Sequence, residues 1–134
     1  MIQHTRDRRF QPIALGFVFL WFSLGSVAHF LFTDVEAGII PAYIPFHIWD
    51  VYISGLLEML GALGLLWKKT RHLAGFGLVL LTLAVTPANL YMAMHWVKYP
   101  AVSAWILDAR LVFQGILLAM IWWSTDASKI FVCA

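Results

Sequence analysis

Charge is scarce in this sequence. Asp, Glu, Lys and Arg make up 12% of its 134 residues, about half the share found in soluble globular domains. Hydrophobic residues make up 62%, so a water-facing surface cannot be coated. A soluble enzyme, a disordered tail and a nucleic-acid binder are therefore excluded as readings; nine basic residues are too sparse for a phosphate-tracking patch. Cysteine is scarcer still. Cys133 stands alone, which excludes an intramolecular disulfide and any C-x-x-C redox pair. The phosphate loop G-x-x-x-x-G-K-[ST], the nucleophile elbow G-x-S-x-G and the zinc helix H-E-x-x-H are all missing, so nucleotide hydrolysis and standard hydrolase chemistry have no support. A small, single-domain integral membrane protein is left, whose first partner is the lipid bilayer.

What the chain does contain is long apolar runs. A bilayer core of roughly 30 Å needs about 20 apolar residues in a helix. Four stretches qualify, at about 12–32, 49–67, 73–96 and 103–124. Helices satisfy their own backbone in lipid, and no strand-length alternation with turn residues favours a barrel. The expected fold is all-α: an antiparallel four-helix membrane bundle. Basic residues set its direction. Arg6, Arg8, Arg9, Lys68, Lys69, Arg71 and Lys129 fall on one side, and Lys98 is the lone basic residue on the other. Both termini are therefore expected in the cytoplasm. Ser26-Val27-Ala28 offers a passable signal-peptidase site, but the apolar run continues through His29-Phe30-Leu31-Phe32, so cleavage is not expected.

The connection from Thr33 to Ile48 is the only long one. It holds Pro41 and Pro45 and no Lys or Arg, and reads as a stiff, irregular, Pro-rich extracytoplasmic cover between the first two spans. Trp49, Trp67, Trp96, Trp105, Trp122 and Trp123 lie near span ends, as interfacial anchors do. Gly55, Gly61, Gly64, Gly75 and Gly77 are candidates for close helix approach.

The informative residues are polar ones at hydrocarbon depth, which usually face the bundle interior and pair with one another. Each span carries a stripe at helical spacing: Ser26 and His29; Asp50, Ser54 and Glu58; Thr82, Thr86 and Asn89, with Pro87 among them; Arg110 and Gln114. At 1.5 Å per residue, Glu58 and Gln114 fall near the midplane, with His29, Asn89 and Arg110 in the outer third. A buried Glu58 must be protonated or paired with a cation, and Arg110 is the only basic residue inside a span. The expected arrangement is a Glu58–Arg110 pair completed by Gln114, Asn89 and Ser54. Pro87 is expected to kink the third span and release the Leu83 carbonyl. Asp108, two residues from Arg110, points elsewhere. Met92 and His95 share a face, but two soft ligands make a poor copper site, so no metal is expected.

The runs "SVAHF", "IPAYIPFHIW", "SGLLEMLGALGLLW", "TPANLYMA" and "ARLVFQGILL", in this order, resemble the DoxX-like family of small bacterial four-helix membrane proteins, from about Phe17 to Trp123. The resemblance implies a bacterial cytoplasmic (inner) membrane, and recurrent polar positions at His29, Glu58, Asn89, Arg110 and Gln114. It also implies a loose association with quinone-linked oxidoreductases.

The expectation is a polar pocket open to the extracytoplasmic side that binds a quinone or another small hydrophobic molecule. The chain would then be an accessory subunit of a membrane oxidoreductase. Glu58 and His29 would be the catalytic acid and base, with Arg110, Gln114, Asn89 and Ser54 as ligand-binding residues. The alternatives are a non-catalytic scaffold that assembles with a membrane-protein partner or a second copy, and an isomerase-like lipid-binding bundle.

Overall fold

The computed structural model describes the backbone of residues 2–126 and the side chains of residues 9–126. Lys129 and Cys133, and the side chains of Arg6 and Arg8, lie outside the described residues. Secondary structure among the described residues is wholly helical: α1 (Ile2–Leu31), α2 (Thr33–Ile39), α3 (His47–Leu66), α4 (Arg71–Met94), a 3-10 turn at Trp96–Lys98 and α5 (Ala104–Thr125). Four segments are long and apolar enough to cross a membrane: 9–31, 47–66, 71–94 and 104–125. Each boundary lies within three residues of the one read from the sequence. Length and hydropathy alone fix these limits, because a span must match the thickness of the apolar slab.

The segment after the first span departs from expectation. It begins as a helix, α2, not as irregular cover. Thr33 Oγ1 donates to the His29 carbonyl at 2.8 Å and the Phe30 carbonyl at 3.2 Å, satisfying carbonyls at the end of α1. Asp34 and Glu36 then stand in the first turn of α2, where the helix dipole favours negative charge. Pro41 stops the helix by forcing Ile40 into extended backbone (ψ 132°). The irregular part is the linker of residues 40–46. It ends at Phe46, whose φ of 59° is left-handed and strained for a bulky side chain. Pro87 sits inside α4, which runs unbroken through it from Arg71 to Met94.

α1 packs against α3, α3 against α4, α4 against α5 and α5 back against α1, closing a ring, with α2 laid on α3 and α1. The dry core is Val18 and Phe22 from α1, Ala62 and Leu65 from α3, Leu78 from α4, and Leu117 and Ile121 from α5. These positions gather in the half of the bundle that contains the α3–α4 turn. His29, Glu58, Asn89, Arg110 and Gln114 gather in the other, polar half. All six tryptophans at span ends are exposed on the outside.

Candidate functional site

The polar half holds two networks, one on each pair of neighbouring helices. The first joins α1 and α3, which approach closely at two glycines. A Cβ on Gly55 would stand 2.8 Å from His29 Cβ, and one on Gly25 would stand 2.8 Å from Glu58 Oε2. With both absent, Ser26 Oγ reaches the Gly55 carbonyl at 2.7 Å and is fully buried. His29 then meets Glu58 across the interface, with Nε2 3.3 Å from Oε1. Its other nitrogen, Nδ1, lies against the Glu36 carboxylate of α2. One imidazole thus stands between two carboxylates, with side-chain exposures of 21% for His29 and 16% for Glu58.

Glu58 Oε2 is buried beneath α1 and has no hydrogen-bond partner among the described residues, and the same holds for Asp50 Oδ2 two turns away on α3. A buried acceptor without a donor is costly unless it carries a proton or meets a ligand. Glu36 lies outside the spans. Burial pushes its carboxyl above the ordinary range, and Glu58 adds to this, while His29 and Arg110 pull it down.

The second network joins α4 and α5 and runs in one direction. Arg110 Nη2 donates to Asn89 Oδ1 at 3.2 Å, and Asn89 Nδ2 donates to Gln114 Oε1 at 2.7 Å. Gln114 Nε2 donates to Thr86 Oγ1 and, at 3.0 Å, to the Thr82 carbonyl. Thr86 and Thr82 return their own hydroxyls to the Thr82 and Leu78 carbonyls, at 2.9 and 2.7 Å. Each amide therefore accepts from the side of Arg110 and donates further in, which fixes the orientation of both. Gln114 is buried, whereas Arg110, one turn away on the same face of α5, is exposed.

The expected Glu58–Arg110 pair does not form. Glu58 pairs with His29 on α1 and Arg110 bonds Asn89 on α4, because the glycine contacts bring α1 against α3. Ser54 joins neither network: its hydroxyl is spent on the Asp50 and Val51 carbonyls of its own helix. Asp108 is exposed, and Met92 is packed in the interior. His95 stacks on Tyr91, with ring centroids 4.1 Å apart, and its Nδ1 lies 3.0 Å from the Tyr91 carbonyl.

Glu36 was missed, because it lies beyond the first span. Its signal was spacing: seven residues after His29, two helical turns on. Gly25 was also missed. Of the five glycines expected at close approaches, Gly77 faces open space.

Two surface clefts flank the bundle. The larger, about 820 Å³, lies on the outside between α2, the linker and the start of α3, bordered by Asp34, Gly38, Phe46 and Tyr52. The smaller is at the α3–α4 turn. Neither is lined by His29, Ser54, Glu58, Asn89, Arg110 or Gln114.

A family model described as a domain of unknown function (DUF8561) matches residues 18–125, so the chain belongs to that family. The matched stretch begins in α1, ends at the last residue of α5 and contains both networks. No curated protein and no solved structure matches the chain.

Proposed function

We propose that this multi-pass membrane protein holds the polar edge of a quinone or another small carbonyl-bearing lipid and exchanges a proton with it, as an accessory subunit of a membrane oxidoreductase. The reading includes DoxX-like kinship, an antiparallel bundle in the bacterial cytoplasmic membrane and cytoplasmic termini, so that the polar half is extracytoplasmic. The observation that supports it best is His29 standing between Glu36, outside the spans, and Glu58, inside them. Glu36 takes up a proton at the surface. The imidazole receives it at Nδ1 and releases one from Nε2, and Glu58 holds it under α1. Arg110 and the amide of Asn89 orient a carbonyl oxygen that approaches the exposed Arg110 side chain where α4 meets α5. An edge-on approach suits these residues better than an engulfed ring, since neither cleft is lined by them. A quinone would supply the two-electron chemistry, with electrons from a partner subunit.

The test is extraction and chromatography of molecules that co-purify with the full chain in mild detergent. A quinone or carbonyl lipid retained by the wild type and lost from Glu58→Gln and Arg110→Ala supports the reading. The same content in all three proteins, or none in any, removes it.

A further inference from the structure

A separate group of charges sits at the end of the bundle that holds the α3–α4 turn. The cleft there, about 320 Å³, is bordered by Gln11 of α1, Lys68 of the turn, Arg71 and His72 of α4, and Ser124 and Asp126 at the end of α5. Arg71 is held in place by its Nε, which donates to the Leu65 carbonyl at 3.0 Å. The terminal nitrogens of the guanidinium are left to serve another acceptor. His72 Nδ1 lies 2.6 Å from the Thr125 carbonyl, which only accepts, so Nδ1 carries a hydrogen and the ring is fixed. The acid on the rim, Asp126, accepts from Gln11 Nε2 at 3.2 Å. Among the described residues no carboxylate lies within ion-pair distance of Lys68, Arg71 or His72; both ion pairs are those of His29. Among the described residues this cleft between helix ends therefore carries two permanent positive charges and a fixed imidazole against one carboxylate, Asp126 on its rim.

We propose that this cleft binds the phosphate of an anionic phospholipid. The chemistry favours a phosphodiester: Arg71 presents a planar donor pair to two phosphate oxygens, and exposed Lys68 adds a mobile point charge. The position favours a lipid source. Exposed Trp67 and Trp123 flank this end of the bundle, at the level where headgroups lie. Pro12 and Leu15 line the same cleft and supply an apolar wall for acyl chains. Basic pockets between helices at a membrane surface recognise anionic headgroups in this way. The site is independent of the His29 network and stands whether or not a quinone binds there.

Native mass spectrometry of the full chain, titrated with phosphatidylglycerol or phosphatidylcholine in mild detergent, reads the site directly. Wild type is expected to retain phosphatidylglycerol selectively. Lys68→Gln, a change at an exposed side chain, is expected to weaken retention about fivefold, and Lys68→Gln with Arg71→Gln about twenty-five-fold. Lys98→Gln, outside the cleft, leaves it unchanged. Equal retention of both lipids overturns the proposal, as does an equal loss in Lys98→Gln or no loss in Lys68→Gln. Displacement of the lipid by millimolar inorganic phosphate also overturns it, by making the site one for a free anion.

Discussion

The two networks in the polar half are built on opposite terms. Between α1 and α3 the partners are titratable, the helices touch at glycines and a buried carboxylate oxygen is left without a donor. Between α4 and α5, everything inward of Arg110 is neutral and every amide has a partner. Such a saturated neutral network defines how two helices sit together. A pair of acids sharing one imidazole defines less, because its contacts change with each proton. The difference separates neutral contacts that fix α4 against α5 from titratable groups that are available to move a proton.

That contrast can be broken by mutation. The largest effect is expected at the glycine contact itself. Gly55→Leu forces α1 away from α3 and should cost about 3 kcal/mol, read as loss of resistance to unfolding in mixed micelles. Gln114→Leu should come next. It removes one acceptor and two donor contacts and strands the Asn89 amide, costing about 1–2 kcal/mol in the same assay, given that single interhelical contacts average about 0.6 kcal/mol. Glu58→Gln keeps the shape and removes the titratable proton, so its stability change should stay under about 0.5 kcal/mol. A Glu58→Gln loss equal to that of Gln114→Leu would erase the distinction between the two pairs. Ser26→Ala deletes one buried hydrogen bond to Gly55 and should cost about 0.6 kcal/mol.

The smallest expected effect sharpens the comparison on the pH axis. Burial holds the Glu36 carboxyl above its ordinary value, so the folded protein binds that proton more tightly than the unfolded chain. The resulting stabilisation is complete below the ordinary carboxylate value and fades as pH rises through the raised one. Glu36→Gln should flatten stability against pH across that window, whereas Asn89→Ala should shift the whole curve without changing its slope.

Much of the fold was legible in the chain. Four apolar runs of membrane length gave the four spans, and the tryptophans at their ends are on the outside. The polar stripes were legible too, since helical spacing puts Thr82, Thr86 and Asn89 on one face and Arg110 and Gln114 on another. Three of the six candidate residues, Asn89, Arg110 and Gln114, do meet. His29 and Glu58 meet as well, but as each other's partners. Ser54 turned back on its own helix, as short hydroxyl side chains readily do in apolar surroundings. Glu36 was hidden because a search confined to the spans stops at Phe32, whereas the helical path resumes one residue later.

Spacing along a helix states which residues share a face and how deep they lie, because rise and turn per residue are constant. The number of long apolar helices and the polar residues that share a face within each were therefore determined by sequence alone. Spacing cannot state which neighbouring helix a face meets. Packing decided that: with no side chain at Gly25 or Gly55, α1 and α3 come close enough for Glu58 to reach imidazole before guanidinium. A contact between two helices depends on the distance between their axes, and that distance is set by the side chains of both at once.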